Sequence, residues 1–369
     1  MMQASRLSRR EMVKGVGGVV GAGMIGGGVV NAAKAKVDWH DVEKWGLEGK
    51  GWDKTSRYYD RLPAKAEKMV RKAVWNLSRH SAGMSVMFET DSKSIAARWS
   101  LLSPSLAMPH MPATGVSSVD LYGKDENGKW QWIGCPRPTK QKNEMTIASG
   151  LDGKYRQYRL YLPLYNGTEK LEIGVLGGAK FKGVGPRKDK AMVFYGTSIV
   201  HGACASRPGM PHPAILGRWF DRSVVNLGFS GNGKMEMPLA ELMGELDASV
   251  YIVDCLPNMN GGLVAKNVVP FVSRLREIKK DTPIVLVEDR SFTNSRWFKS
   301  RRAHHAASRK ALREGYQALL SKGVKGLSYI PGESLLGHDG EATMDGSHPS
   351  DLGFYRQAKY MAPFIKPFV

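Results

Sequence analysis

Ala191-Met192-Val193-Phe194-Tyr195-Gly196-Thr197-Ser198-Ile199-Val200-His201-Gly202 is an apolar run that ends in a tight turn. The run has no polar alternation, so a strand made from it is buried on both faces, as in a parallel sheet. Val224 to Leu227, Val250 to Val253 and Ile284 to Val287 repeat the pattern, with helix-period stretches between them. Val264, Val268, Phe271, Leu275 and Ile278 fall on one helical face. This alternation predicts a three-layer α/β/α domain with a parallel sheet over residues 190–369.

Upstream the period changes. Ser94 to Trp99, Val119 to Tyr122, Trp130 to Ile133, Tyr158 to Leu162 and Leu171 to Val175 are short β-rich runs. Asp125-Glu126-Asn127-Gly128, between two of them, is a hairpin turn signal. Short strands at regular spacing predict a jelly-roll-like β-sandwich over residues 36–180. Seven of the nine tryptophans fall in this half, where core packing and sandwich edges account for most of them. Gly177 to Lys190 is polar and glycine-rich and reads as an interdomain link.

Residues 1–35 read as a leader. Arg9-Arg10 stands ahead of a weakly hydrophobic Gly/Val-rich run, Val13 to Val30, and Ala33-Lys34-Ala35 offers small residues for cleavage. The pattern resembles a twin-arginine export signal and predicts a periplasmic or secreted protein, with no stable membrane span after leader cleavage. The formal net charge is +20; this segment carries five basic residues against Glu11, a net +4, which leaves +16 for the remainder. Such a surface suits anionic surfaces or acidic polymers. The basic residues are scattered and form no nucleic-acid module, so no nucleic-acid partner is expected. Three cysteines, Cys135, Cys204 and Cys255, are too few for a disulfide scaffold and lack metal-ligand spacing. No metal and no cofactor is expected.

The chemistry sits in four segments. Asp345-Gly346-Ser347-His348 places a carboxylate and an imidazole within one turn of chain. Ser198 supplies a hydroxyl. A serine nucleophile needs a histidine to take its proton and an acid to orient that histidine. In an open α/β sheet the site forms outside the carboxyl ends of the strands. Ser198, Gly231 and Asn258 each follow a predicted strand, and Asp345 to His348 occupies the last loop. Singly, each has a plainer reading: Ser198 as a turn residue, Gly231 as a positive-φ position, Asn258 as a cap of the next helix, Asp345 as a cap of the helix beginning near Ser350. His40, His80, His110, His212, His304 and His305 read as surface or packing residues, while His201 and His338 are candidates to line a pocket.

Taken together these segments resemble the SGNH (GDSL-type) hydrolases. Gly196-Thr197-Ser198 stands where that family has Gly-Asp-Ser. Asn226-Leu227-Gly228-Phe229-Ser230-Gly231-Asn232 is similar to its second block, Asp254-Cys255-Leu256-Pro257-Asn258-Met259 to its third, and Asp345-Gly346-Ser347-His348-Pro349 to its Asp-x-x-His block. Ser118-Val119-Asp120-Leu121-Tyr122 resembles the Gly-Val-Asp-Leu-Tyr signature of the β-sandwich that precedes some such esterases. The resemblance implies Ser198 as nucleophile, His348 as base and Asp345 as its orienting acid. It also implies an oxyanion hole from the N–H groups of Ser198 and Gly231 and the Asn258 amide. The chain departs from the family at Thr197, and in the third block at Pro257 and Met259.

The reading that results is an exported serine esterase acting through an acyl-enzyme on a small-molecule or polysaccharide ester, with acetyl groups on carbohydrates as the first substrate. Two rivals stand beside it. One is a carbohydrate-binding protein with a silent hydrolase domain, which a serine-directed fluorophosphonate would fail to label. The other is an acyltransferase using the same triad, which product analysis with and without an acceptor would reveal.

Overall fold

The computed structural model describes residues 36–369, so the leader reading of residues 1–35 lies outside the described residues. Nine strands come first: β1 (Val37–Asp41), β2 (Ser85–Thr90), β3 (Ser94–Leu101), β4 (Asp120–Lys124), β5 (Trp130–Gly134), β6 (Lys142–Ser149), β7 (Arg156–Tyr161), β8 (Thr168–Leu176) and β9 (Phe181–Val184). They form two antiparallel sheets, ordered β1-β8-β3-β6 and β5-β4-β7-β2-β9. Strand period two drives the packing. Ile95, Ala97, Trp99 and Leu101 of β3 point inward and meet Phe88, Leu121 and Leu160 of the facing sheet in one core. The β4–β5 turn is a hairpin, with Asp125 Oδ1 accepting from the Asn127 and Lys129 N–H groups and Gly128 at φ 75°.

Two short helices, α1 (Lys72–Ser78) and α2 (Ala113–Val116), interrupt this half. Neither belongs to the sandwich core. Leu62, Val70, Val74 and Trp75 pack into the hydrophobic core of the following α/β half, and Met111, Val116 and Leu164 into its other core. The glycine-rich stretch read as a link also differs from expectation. Its middle is strand β9, paired to β2 with Met87 opposite Val184. Polar spacing hides it, because one of its edges has no neighbour and its side chains stay partly exposed.

The second half runs β10 (Ala191–Gly196), α3 (Ser198–His201), α4 (His212–Trp219), β11 (Val224–Gly228), α5 (Met237–Met243), β12 (Ala248–Asp254), α6 (Gly261–Ile278), β13 (Ile284–Val287), α7 (Lys299–Ser321), β14 (Leu327–Ile330) and α8 (Asp351–Ile365). All five strands are parallel, in the order β11-β10-β12-β13-β14. Alternate residues feed opposite layers. Val193, Tyr195, Tyr251 and Val253 pack against α5, α6 and α7, while Met192, Phe194, Val250 and Ile252 pack against α4 and α8. Of the five α6 residues expected on one face, Val264, Val268, Phe271 and Leu275 are buried; Ile278, at the end of the helix, is exposed. Among the described residues no helix is long and apolar enough to cross a membrane.

Candidate active site

Strand order reverses at β10, which lies between β11 and β12. A reversal of this kind opens a crevice outside the carboxyl ends of the strands. The chain leaves β10 directly into that crevice at Thr197 and Ser198. Thr197 caps α3, its Oγ1 accepting from the Ile199 N–H at 3.3 Å, so the threonine in the family's aspartate position supports the turn. Ser198 is buried, and its Oγ lies 2.9 Å from His348 Nε2.

His348 Nδ1 lies 2.7 Å from Asp345 Oδ2. The carboxylate accepts there, so Nδ1 carries the proton and Nε2 presents its lone pair to the serine hydroxyl. Asp345 Oδ1 also accepts from the Ser347 and His348 N–H groups, at 2.9 and 2.8 Å. Burial by itself would raise this acid. The bonds from the His348 N–H and ring and from the Ser347 N–H outweigh burial and lower the Asp345 carboxyl to about 2. Asp345 is therefore ionised at neutral pH. It does not cap the next helix: Ser350 does, accepting from the Gly353 N–H.

Gly231 and Asn258 follow the two strands that flank β10. After β11 the chain turns through Gly231, at φ 69°, a conformation that favours glycine. A Cβ on the nearby Gly233 would stand 2.3 Å from the Gly196 carbonyl oxygen, so this loop lies hard against the Ser198 turn. After β12, Asn258 Oδ1 accepts from the Gly233 N–H at 3.2 Å. That bond ties the Asn258 loop to the Gly231 loop, and among the described residues the amide NH2 has no acceptor. Capping of α6 falls instead to Asn260, which accepts from the Leu263 N–H at 2.9 Å. Among the described residues neither the Ser198 nor the Gly231 N–H has an acceptor.

Several supporting residues carry no mark in the sequence. Arg290 donates from Nε to the Ser347 carbonyl at 3.1 Å, from Nη2 to Ser347 Oγ, and from Nη1 to buried Asp289. Asp289 in turn accepts from His305 Nδ1 at 3.1 Å. This buried chain holds the Asp345–His348 loop from beneath. Arg61, fully buried, donates to the carbonyls of Asn226 and Gly228 at 3.1 and 2.7 Å, fixing the end of β11; burial lowers it to about 9, and it remains a cation at neutral pH. The Tyr165 hydroxyl donates to the Ser198 carbonyl at 3.2 Å. His110, read as a surface or packing residue, stands with its ring 6.0 Å from that of His348. It is carried there by a tight turn in which Met108 and Met111 exchange backbone hydrogen bonds.

His201 does not line a pocket: it is buried, with Nε2 2.7 Å from the Leu164 carbonyl and its ring stacked on Tyr165 at 4.1 Å. His338 does face a cavity, described below. Cys204 and Cys255 are free, buried thiols. Burial first, then the Asp345 charge, pushes Cys204 up to about 12, and burial raises Cys255 well above the thiol range, so both are inert.

Both halves of the chain match known protein families. Residues 189–366 match the GDSL-like lipase/acylhydrolase family, and residues 37–181 match the N-terminal domain of SGNH-hydrolase-type esterases. A Bacteroides ovatus protein described as a GDSL-like lipase is 33% identical, with a TM-score of 0.86, over 90% of this chain and 98% of that one. A salicylyl-acyltransferase from a tetracycline biosynthetic pathway shares the fold at 20% identity and a TM-score of 0.69, over 88% of this chain and 96% of that one. A family two carbohydrate esterase from Clostridium thermocellum, solved with cellohexaose, aligns at 13% identity and a TM-score of 0.54, over 78% of this chain and 92% of that one. No curated protein matches the sequence.

Proposed function

The chain belongs to the SGNH (GDSL-type) hydrolases and is a serine ester hydrolase, and from that premise we propose that Ser198, His348 and Asp345 remove short acyl groups, acetyl first, from carbohydrates outside the cytoplasm. The observation that supports the three catalytic roles is the unbroken relay from Ser198 Oγ through His348 to Asp345. Neutral His348 takes the Ser198 proton at Nε2 as Oγ bonds to the ester carbonyl carbon. Asp345 stabilises the imidazolium that forms. The carbonyl oxygen becomes an oxyanion and accepts from the Ser198 and Gly231 N–H groups and the Asn258 amide. Collapse breaks the bond to the alcohol oxygen, which takes the proton from His348. Water then repeats the sequence on the acyl-enzyme and regenerates Ser198.

Two features support a carbohydrate alcohol over a lipid. Beside the Asp345–His348 loop lies a cavity of about 460 Å3, whose lining includes Ser291, Thr293, Ser295, Glu333 and Asp339 together with Arg296 and Phe292. It adjoins that loop through the bond from the Thr293 N–H to the Gly346 carbonyl. Trp297 also lines it and is 78% exposed. Hydroxyls, carboxylates and an open indole face suit a sugar better than an acyl chain. The fold likeness to the family two carbohydrate esterases points the same way.

Turnover of p-nitrophenyl esters is therefore expected to be highest for acetate and to fall as the acyl chain lengthens, with acetate released from acetylated glycans. Preference for long acyl chains would exclude the acetyl assignment. Export is tested separately. Changing Arg9 and Arg10 together to Lys is expected to leave uncleaved precursor in the cytoplasm. Normal processing of that double variant would remove the twin-arginine route.

A further inference from the structure

We propose that the cleft between the β4–β5 hairpin and helices α4 and α8 binds an acidic glycan, in a site separate from Ser198. The cleft encloses about 460 Å3, and its lining includes Trp130, Gln131, Arg218, Trp219, Asp221 and Tyr355. None of these belongs to the segments that meet at the nucleophile. Trp219 and Tyr355 are 44% and 50% exposed. Their rings meet edge to face, with centroids 5.4 Å apart and planes at 87°. Two open aromatic faces at right angles form a corner against which the aliphatic face of a pyranose can pack. Met210 and Ile215 add apolar lining, and Gln131 adds a side-chain donor and acceptor.

Charge decides the kind of sugar. Asp221 is already satisfied: its carboxylate pairs with Lys124 at 2.9 Å and accepts from the Trp130 indole N–H at 3.2 Å. Arg207, also in the lining, is paired with Asp120 at 2.8 Å. Two further lining cations, Lys129 and Arg218, have no carboxylate within salt-bridge distance among the described residues. Arg218 lies over the Tyr122 ring at 4.1 Å, which fixes the guanidinium plane, and its Nη1 is buried without an acceptor. Nη1 is shut off from solvent, so Arg218 contributes its positive charge to the cleft rather than that nitrogen as a direct donor, and Lys129 supplies the mobile cation. The cleft thus offers aromatic faces for a sugar ring and unpaired positive charge for its acid group, the two halves of a hexuronate. The net charge of +16 outside residues 1–35 favours the approach of a polyanion. Such a site would hold the enzyme on an acidic polysaccharide, and it stands independently of the chemistry at Ser198.

The test is calorimetric titration of the protein with hexagalacturonate, with cellohexaose as the uncharged control and single-stranded polyuridylate as a non-sugar polyanion. Hexagalacturonate is expected to bind, to weaken as salt rises, and to bind more tightly than cellohexaose. Trp219→Ala, Tyr355→Ala and Arg218→Gln are each expected to weaken it about tenfold or more. For Trp219→Ala and Tyr355→Ala, melting temperature and p-nitrophenyl acetate turnover should stay unchanged. Trp219 and Tyr355 are exposed, so their variants fold even if Arg218→Gln does not. Absence of binding, equal binding by all the variants, or cellohexaose binding as tightly would each overturn the proposal. Polyuridylate competing as well as the uronate would do the same, because the surface would then be reading charge alone.

Discussion

Ser198→Ala is expected to lower ester turnover by about 10⁴-fold or more while leaving the protein folded. The hydrogen bonds that hold the turn belong to the Ser198 backbone: its carbonyl accepts from the Gly202 and Ala203 N–H groups and from the Tyr165 hydroxyl. Alanine keeps all three. Among the described residues the Ser198 side chain bonds to His348 alone, so stability should change by no more than about 1 kcal/mol. The loss in rate is large because the three groups act as a unit. Without Oγ the His348 lone pair has no proton to take and no bond to the acyl carbon can form. What remains is whatever the oxyanion donors contribute to direct attack by water. Turnover of p-nitrophenyl acetate, with intact mass after fluorophosphonate treatment, reads both parts. The wild type should gain one adduct and the variant none. A labelled, active variant would mean that another residue is the nucleophile.

How much of the molecule is legible in its sequence follows from where each residue's partner lies in the chain. Strands β10 to β13 are buried on both faces, so unbroken apolar runs reveal them. The fifth parallel strand, Leu327–Ile330, is an edge strand with three of its four residues only half-buried, and its sequence carries no such run. Strand β6 is hidden for the same reason: its burial is mostly partial or absent. Site residues divide in a similar way. Asp345 and His348 are three apart, and their pairing is a local fact that spacing can show. Arg290 reaches Ser347 across 57 positions, and Arg61 reaches Asn226 and Gly228 across 165 and 167. Their acceptors are mainly backbone carbonyls, which every residue has, so nothing in the side-chain sequence marks them. His110 stands beside His348 only because the first half packs its Met108–Met111 turn onto the second. That packing also explains why a reading of two independent modules misses Leu62, Val74 and Trp75 in the core of the α/β half.

The departure at Pro257 and Met259 makes Asn258 the most informative remaining position. Asn258→Ala is expected to lower kcat by about 10²–10³ with little change in KM, because a donor to the oxyanion acts in the transition state and substrate binding hardly registers its loss. Alanine also removes the acceptor for the Gly233 N–H, so a fall in kcat alone could reflect a displaced Gly231 loop. Asn258→Asp separates the two effects. The aspartate keeps an oxygen for the Gly233 N–H and replaces the amide donor with a negatively charged acceptor. If Asn258 serves the oxyanion, the Asp variant should lose at least as much kcat as the Ala variant, since it opposes the developing charge, yet melt close to the wild type. If the residue only braces the loop, Asp should restore most of the activity that Ala loses. The capping role that sequence leaves open to Asn258 is filled by Asn260, so helix α6 should be indifferent to both changes. An Asn258→Asp enzyme with wild-type kcat would remove this side chain from the oxyanion hole and leave the Ser198 and Gly231 N–H groups to stabilise the charge.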